Sequence, residues 1–277
     1  MTKPDQLHTL FYSKVKDLHE CEQKYYWRYH RQLIPKLKNP NLVRGAYIHQ
    51  VMDTTLILTM ETPSIPADVA LGLALLSCED SHPMSEDTKQ EAKNMALTLW
   101  QVLSTYEVLE TERKLEIELG DGYIWKAKLD GIVKSLDGMW QAEYKSTARY
   151  ASNLRRLYHS GIQPFIYLYV AKECGYELRG TKMFIASAKE CLVEEVISTP
   201  EQLAQAERYI YDSLVRVRAV EEGTIPLCRN RSACVTLLSE CPYRPLCLET
   251  ASGAYIEDTI DMMYVEESPL AHYGEGG

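Results

Sequence analysis

Apolar positions recur every three or four residues along several stretches of the chain and every second residue along others, and the change of period divides it. Val15, Leu18, Cys21, Tyr25, Tyr26 and Tyr29 follow the helical spacing, which predicts an amphipathic helix from an N-cap at Ser13 to about Arg31. A second helix is expected after Pro40, and a short Ala/Leu-rich one among the prolines of residues 62–85. Ser85 and Glu86 open a longer one reaching about Glu110, with Ala92, Met95, Ala96, Leu99 and Leu103 on its apolar side. From Lys114 the period falls to two. Strands are expected through a turn at Gly120-Asp121-Gly122 to Val133, then to Lys145, and near Lys182–Ala186 and Leu192–Ser198. Helices over about Tyr158–Cys174 and from Thr199 or Pro200 to about Glu221 complete the pattern. Helices flanking a mixed central β-sheet make an α/β sandwich the most economical architecture.

The stretch from Leu129 to Lys145 carries the densest chemistry. Asp137-Gly138 lies between two alternating runs, a strong hairpin signal, because Gly accepts the positive φ of a tight two-residue turn. With those two residues as the loop, Leu136 pairs with Met139, Ile132 with Glu143 and Asp130 with Lys145. Alternation then puts Asp130, Glu143 and Lys145 on one face, and Leu129, Trp140 and Tyr144 on the other. Such a patch is either a solvated hairpin face with a surface ion pair or an oxygen-ligand site for Mg²⁺ or Mn²⁺ that leaves positions for water and phosphate.

Four cysteines fall within a short proline-broken segment, Cys228, Cys234, Cys241 and Cys247, and Cys21 lies in the first helical stretch. The spacing is not the paired C-x2-C of zinc ribbons, whereas thiolates in irregular loops hold iron-sulfur clusters. A 4Fe-4S cluster, zinc and no metal are the three readings. Eight cysteines in a chain with no export signal and no apolar run of about 18 residues fit reduced thiols or metal ligands, and an intracellular, cytoplasmic location with no membrane partner.

The net charge of −9 changes meaning once it is divided. Residues 248–277 hold seven acids and no Lys or Arg, so only −2 falls on residues 1–247. Residues 1–44 carry nine basic residues against four acids, and residues 145–156 hold Lys145, Arg149, Arg155 and Arg156 with no acid. Either these are solvated helix faces, or Lys24, Arg28, Arg149, Arg155 and Arg156 form a phosphate track, with the aromatics around Lys24 and Arg28 stacking bases.

Asp130 followed by Glu143-Tyr144-Lys145 resembles the signature of the PD-(D/E)XK nuclease superfamily, and the flanking residues resemble its RecB-like, CRISPR-adaptation-type exonuclease branch with a four-cysteine cluster. Gly45-Ala-Tyr-Ile-His49 is similar to the helix that supplies a metal-binding histidine, Gln163-Pro-Phe-Ile-Tyr167 to a Q-x-x-x-Y helix, and Cys21 with Cys234, Cys241-Pro-Tyr and Cys247 to a split cluster site. The matches run in the family's order from residue 21 to residue 247. The resemblance implies a restriction-endonuclease-like core, with His49, Asp130, Glu143 and the Tyr144 carbonyl around one or two Mg²⁺ or Mn²⁺ ions. It also implies Lys145 at the attacking water, and Gln163 and Tyr167 positioning the strand. Cys21, Cys234, Cys241 and Cys247 would hold a 4Fe-4S cluster, with Cys228 spare. Residues 1–247 then form a single nuclease domain: a helical part over about 13–110, a sheet core over about 112–198, and a helix and cluster loop over about 199–247. An acidic tail follows over 248–277. The activity implied is DNA exonuclease action at ends or on single strands in recombination, repair or replication, with a recombination or single-strand-binding protein as a further partner. A CRISPR-adaptation-type or structure-specific end-trimming nuclease and a non-catalytic iron-sulfur DNA-binding subunit are the alternatives.

Overall fold

The computed structural model describes residues 8–148, 161–235, 240–253 and 255–268. They divide into two compact units, one from Met1–Thr9 and Asn39–Tyr209, the other from Leu10–Lys38 and Ile210–Gly277.

The first unit is built on a mixed sheet. Its strands are β1 (His8–Leu10), β3 (Glu107–Gly120), β4 (Tyr123–Ser135), β5 (Gly138–Ser146), β6 (Gly180–Ala186) and β7 (Cys191–Ile197), in the order β1-β4-β5-β6-β7 with β3 also on β4. All the pairs between β3 and β7 are antiparallel except β5 with β6. That parallel pair needs a crossover, and α6 (Gln163–Glu173) lies in it. Three helices lie between β1 and β3: α3 (Pro40–Glu61), α4 (Ala67–Ser77) and α5 (Glu86–Leu103). Asn39 caps α3 by accepting from the Asn41 amide, with Pro40 in the first turn, and Ser85 caps α5 as expected. Tyr47, Ile48, Val51, Met52 and Leu56 form the buried stripe of α3, in one core with Leu99 of α5, Trp140 and Tyr144 of β5 and Phe184 of β6. This packing fixes α3 against the sheet and so sets where His49 emerges. The α5 helix stops at Leu103, short of Glu110; the sheet takes its first strand from β1 at His8–Leu10, and β3 begins at Glu107 rather than near Lys114.

The central hairpin departs from the expected register by two residues. Ser135 pairs with Gly138, Ile132 with Gln141 and Gly131 with Ala142, so Leu136 and Asp137 form the loop. Gly138 takes φ 134° as it enters β5, and a Cβ there would come within 2.9 Å of the Arg179 side chain. Asp137 fixes the turn by accepting from the Trp140 indole at 3.1 Å and pairing with Arg179 at 3.2 Å.

In the second unit, α1 (Tyr12–Glu20) and α2 (Glu22–Tyr25) are separated by Cys21, which is extended at φ −166°, ψ 116°. A π-helical turn (Tyr26–His30) follows, then β2 (Leu33–Pro35). The expected single helix capped by Ser13 is therefore a helix capped at Phe11 and broken at Cys21. The expected long helix is present as α7 (Pro200–Glu221). After the cysteine segment come α8 (Arg244–Ser252), α9 (Glu257–Met263) and β8 (Tyr264–Glu266), which pairs with β2. Trp27, Leu33, Tyr243, Leu246, Ile260 and Tyr264 form this unit's core, with Cys241 and Cys247 packed on it. Glu22, buried, accepts from Arg216 at 2.6 Å and from the Cys228 amide at 2.7 Å.

Candidate active site

Three strands and one helix converge at Asp130. Beyond the Gly131–Ala142 pair the β4–β5 ladder opens, and the Asp130 carboxylate accepts the Tyr144 amide at 2.7 Å, so a side chain replaces a strand-to-strand bond. The other Asp130 oxygen lies 3.2 Å from His49 Nδ1, and His49 Nε2 lies 3.1 Å from the Tyr144 carbonyl oxygen. Glu143, buried, accepts from Lys145 and, at 3.3 Å, from Gln141. His49, Asp130, Glu143, Tyr144 and Lys145 are thus brought together. Gly131 is demanded by close approach: a Cβ there would stand 3.1 Å from both the Glu110 carbonyl and the Tyr144 hydroxyl. Asp53 reaches the site through Thr111, whose hydroxyl donates to its carboxylate at 3.0 Å.

Sequence reasoning missed Glu112. The ligand atoms of His49, Glu112 and Asp130 all lie within 4.8 Å of one another, and Glu112 also pairs with Lys128. Gln163 donates to the Tyr167 hydroxyl at 3.2 Å, one turn apart on α6. Arg149, Arg155 and Arg156 lie outside the described residues. Lys24 and Arg28 belong to the second unit and are engaged there, Lys24 with Asp17 at 2.8 Å and Glu20 at 2.7 Å, and Arg28 with Asp17 at 3.0 Å.

The site's electrostatics fit a hard divalent cation. Burial pushes the Glu143 carboxyl up and nearby Asp130 adds to this, while Lys145 opposes both. Burial also works against charge on Asp130 and on His49. Their mutual attraction outweighs it, holding Asp130 low and His49 above the usual histidine value. A cation here would meet carboxylate oxygens, a carbonyl and one imidazole, the donor set of Mg²⁺ or Mn²⁺, and would relieve the crowding that favours a proton on Glu143. A linkage follows. A raised folded pKa contributes stability below the unfolded value, about 6.5 for His, and loses it as pH rises through the folded value. Without metal, thermal stability relative to His49→Gln is therefore expected to fall as pH rises through that window. The stabilisation by added Mn²⁺ should grow over the same window, because the ion no longer competes with protons. Scanning calorimetry across pH with EDTA or Mn²⁺ checks both trends, and a Mn²⁺ increment independent of pH would contradict the assignment.

A second group of donors lies in the other unit. Cys21, Cys234, Cys241 and Cys247 line a cavity of about 400 Å³, together with Lys24, Arg229, Arg231 and Arg244. Cys228, exposed, is not among the lining residues. Among the described residues, no three cysteine sulfurs lie within 4.8 Å of one another. The thiols of Cys241 and Cys247 are pushed up mainly by burial, opposed by Lys24 at Cys241 and by the Trp27 indole and Arg229 at Cys247.

Residues 9–248 match the sequence profile of the PD-(D/E)XK nuclease superfamily, and the chain belongs to that superfamily. Its mixed sheet flanked by helices is the restriction-endonuclease-like fold. One similar solved structure, from Eubacterium rectale and provisionally described as an exonuclease, is 15% identical over 80% of this chain and 84% of that one, with a TM-score of 0.50. Another, SSO0001, is 18% identical over 78% of each chain, with a TM-score of 0.35. Among curated proteins there is no sequence match. The superfamily makes the chain a nuclease that uses divalent metal and acts on DNA. No described helix is long and apolar enough to cross a membrane.

Proposed function

We propose that the chain is a DNA exonuclease of the RecB-like type, acting at DNA ends or on single strands, with a 4Fe-4S cluster in its second unit. The observation that carries the reading is the convergence of His49, Asp130, Glu143 and the Tyr144 carbonyl, with Lys145 on Glu143, in a chain of this superfamily. Bound divalent cations would polarise the scissile phosphate and lower the pKa of the attacking water. Asp130, Glu143, His49 and the Tyr144 carbonyl would hold them. Lys145 holds a positive charge beside that position, where it orients the water and offsets negative charge building on the phosphate. Asp130 also locks β5 through the Tyr144 amide, which keeps the carbonyl of that residue aimed at His49. Gln163 and Tyr167 would position the strand, and Lys24, Arg28, Arg149, Arg155 and Arg156 would hold phosphates.

The cluster reading rests on the cysteine cavity. Thiolates around one zinc converge to about 3.8 Å, from Zn–S bonds of about 2.3 Å in a tetrahedron. Among the described residues no three sulfurs stand that close, and four thiols line one cavity, the ligand number of a cubane. The Trp27 indole beside Cys247 and the surrounding basic side chains suit an anionic cluster with sulfur acceptors. End-labelled linear and circular DNA, incubated with anaerobically purified protein and Mn²⁺, Mg²⁺ or EDTA, tests the activity. Metal-dependent loss of linear DNA with circles intact is expected, and the label released first gives the polarity. Survival of linear DNA with both metals would refute the exonuclease.

A further inference from the structure

β5 is buried on both faces over Trp140–Tyr144, yet it carries an amide there. Gln141 and its neighbour Thr181 are fully buried and Glu143 is buried too, and a buried amide is unfavourable unless both its halves are paired. Both are. Gln141 stands beside Thr181 in the parallel β5–β6 register, and its amide oxygen accepts the Thr181 hydroxyl at 3.1 Å. Its amide nitrogen donates to Glu143 Oε2 at 3.3 Å, while Lys145 donates to Oε1. Thr181, Gln141, Glu143 and Lys145 thus form one hydrogen-bonded chain running from β6 into the site.

The direction of that chain is forced from one end. An ionised carboxylate only accepts, so the amide must turn its NH₂ toward Glu143 and its oxygen away. The hydroxyl that meets this oxygen must then donate, and Thr181 has one proton to give. The terminal torsion of a Gln is broad by itself; Thr181, stiff at χ1 because it is β-branched, selects one of its two orientations from a fixed point on β6. We infer that Gln141 and Thr181 are positioning residues, which fix the plane of the Glu143 carboxylate for a divalent cation. The inference rests on the reading of Glu143 as a metal ligand. Lys145 alone cannot fix that plane, since its ammonium rides on a flexible four-carbon stem. The amide supplies the second point. Mg²⁺ demands near-ideal octahedral geometry, whereas Ca²⁺ accepts flexible arrangements of oxygens. A carboxylate held at both oxygens therefore favours Mg²⁺, and one released to swing loses more affinity for Mg²⁺ than for Ca²⁺.

The test is the affinity of the full chain for Mg²⁺ and for Ca²⁺, each measured by displacement of Mn²⁺ followed by electron paramagnetic resonance. Thr181→Val keeps nearly the same shape and loses the proton. Its Mg²⁺ affinity is expected to fall at least about tenfold, the usual cost of removing a partner that orients a metal ligand, with Ca²⁺ affinity changed by no more than about threefold. Thr181→Ser keeps the hydroxyl and loses a methyl, and should return to within about threefold of wild type for Mg²⁺. A role in packing alone predicts the reverse order, since Val fills the site and Ser leaves a gap. Adding Thr181→Val to Gln141→Leu should cost no further Mg²⁺ affinity, as expected of two links in series. Wild-type Mg²⁺ affinity in Thr181→Val, or a loss in Thr181→Ser as large as in Thr181→Val, would overturn the positioning role and leave the nuclease reading standing. No divalent cation bound by wild type would overturn both. Should Gln141→Leu fail to fold, the two Thr181 variants decide by themselves.

Discussion

Lys145→Ala is expected to lose at least about 10³-fold in DNA cleavage while binding the same DNA within a few-fold. Removing one preorganised charge or donor from a hydrolytic site costs about 10²–10³ in rate, and Lys145 does more than supply charge. Its ammonium is the cation on Glu143, which is buried and whose carboxyl burial already pushes up. Without it, Glu143 meets Asp130 and a low-dielectric surrounding with no counter-charge, and a proton becomes the cheapest way to neutralise it. On the proposed site, the variant then loses a metal ligand as well as a water-positioning group. The two losses separate by pH. Raising the pH ionises Glu143 again and restores Mn²⁺ affinity in Lys145→Ala, but it does not restore the charge beside the phosphate. Metal binding should therefore recover at alkaline pH while cleavage does not. Wild-type-like cleavage by Lys145→Ala at any pH would remove the assignment.

The carboxylate face was legible in the sequence because of the period of two, even though the register was not. Counting from an Asp137-Gly138 loop sets Ile132 opposite Glu143, whereas Ile132 pairs with Gln141. That slip of two residues leaves every side chain on its face, so Asp130, Glu143 and Lys145 still share one side. What fixes the actual loop is tertiary: Arg179, 42 positions away, donates to the Asp137 carbonyl and fills the space where a Gly138 Cβ would sit.

Glu112 was hidden for the opposite reason. Gly120 pairs with Tyr123 across the turn, but beyond the irregularity between Glu118 and Gly120 the register shifts by one, so that Glu118 pairs with Ile124 and Lys114 with Lys128. Continuing the turn's own register would set Glu112 opposite Gly131, on the wrong face. A bulge of one residue inverts a face where a slip of two does not. No local signal in Glu-Leu-Gly-Asp-Gly announces it.

Cys21 shows the same limit in a helix. The apolar spacing of Val15, Leu18, Cys21 and Tyr25 is that of a continuous helix, and the helical hydrogen bonds of Cys21 survive, its amide to Asp17 and its carbonyl from Tyr25. Only its dihedrals leave the helix. The break turns a core-like cysteine toward the cavity shared with Cys234, Cys241 and Cys247, and the Asn230 amide reaches its sulfur at 3.5 Å. Contacts with residues more than 200 positions later cannot be read from an eleven-residue pattern.

That separation sets the size of the second large effect. On the proposed cluster ligation, Cys21→Ser would lose the tie between the first helices and the C-terminal cysteines, and with it a cross-link closing a loop of more than 200 residues. Loop-closure entropy for a link of that span is worth about 5 kcal/mol, comparable with the whole stability of a small domain. The variant is expected to lose its bound iron and visible absorbance, to expose the packing around Trp27, Tyr243 and Leu246, and to unfold the second unit well below the wild-type transition. Cys228→Ser is the control, because Cys228 is exposed and lines no part of the cavity; it should keep iron and the melting transition. Mn²⁺ binding should persist in Cys21→Ser wherever the first unit stays folded, since none of its ligands lies in the second. Iron analysis, absorbance and calorimetry on the anaerobic proteins decide it. Full iron content in Cys21→Ser would take Cys21 out of the ligand set, and wild-type protein that carries zinc instead would replace the cluster with a single ion.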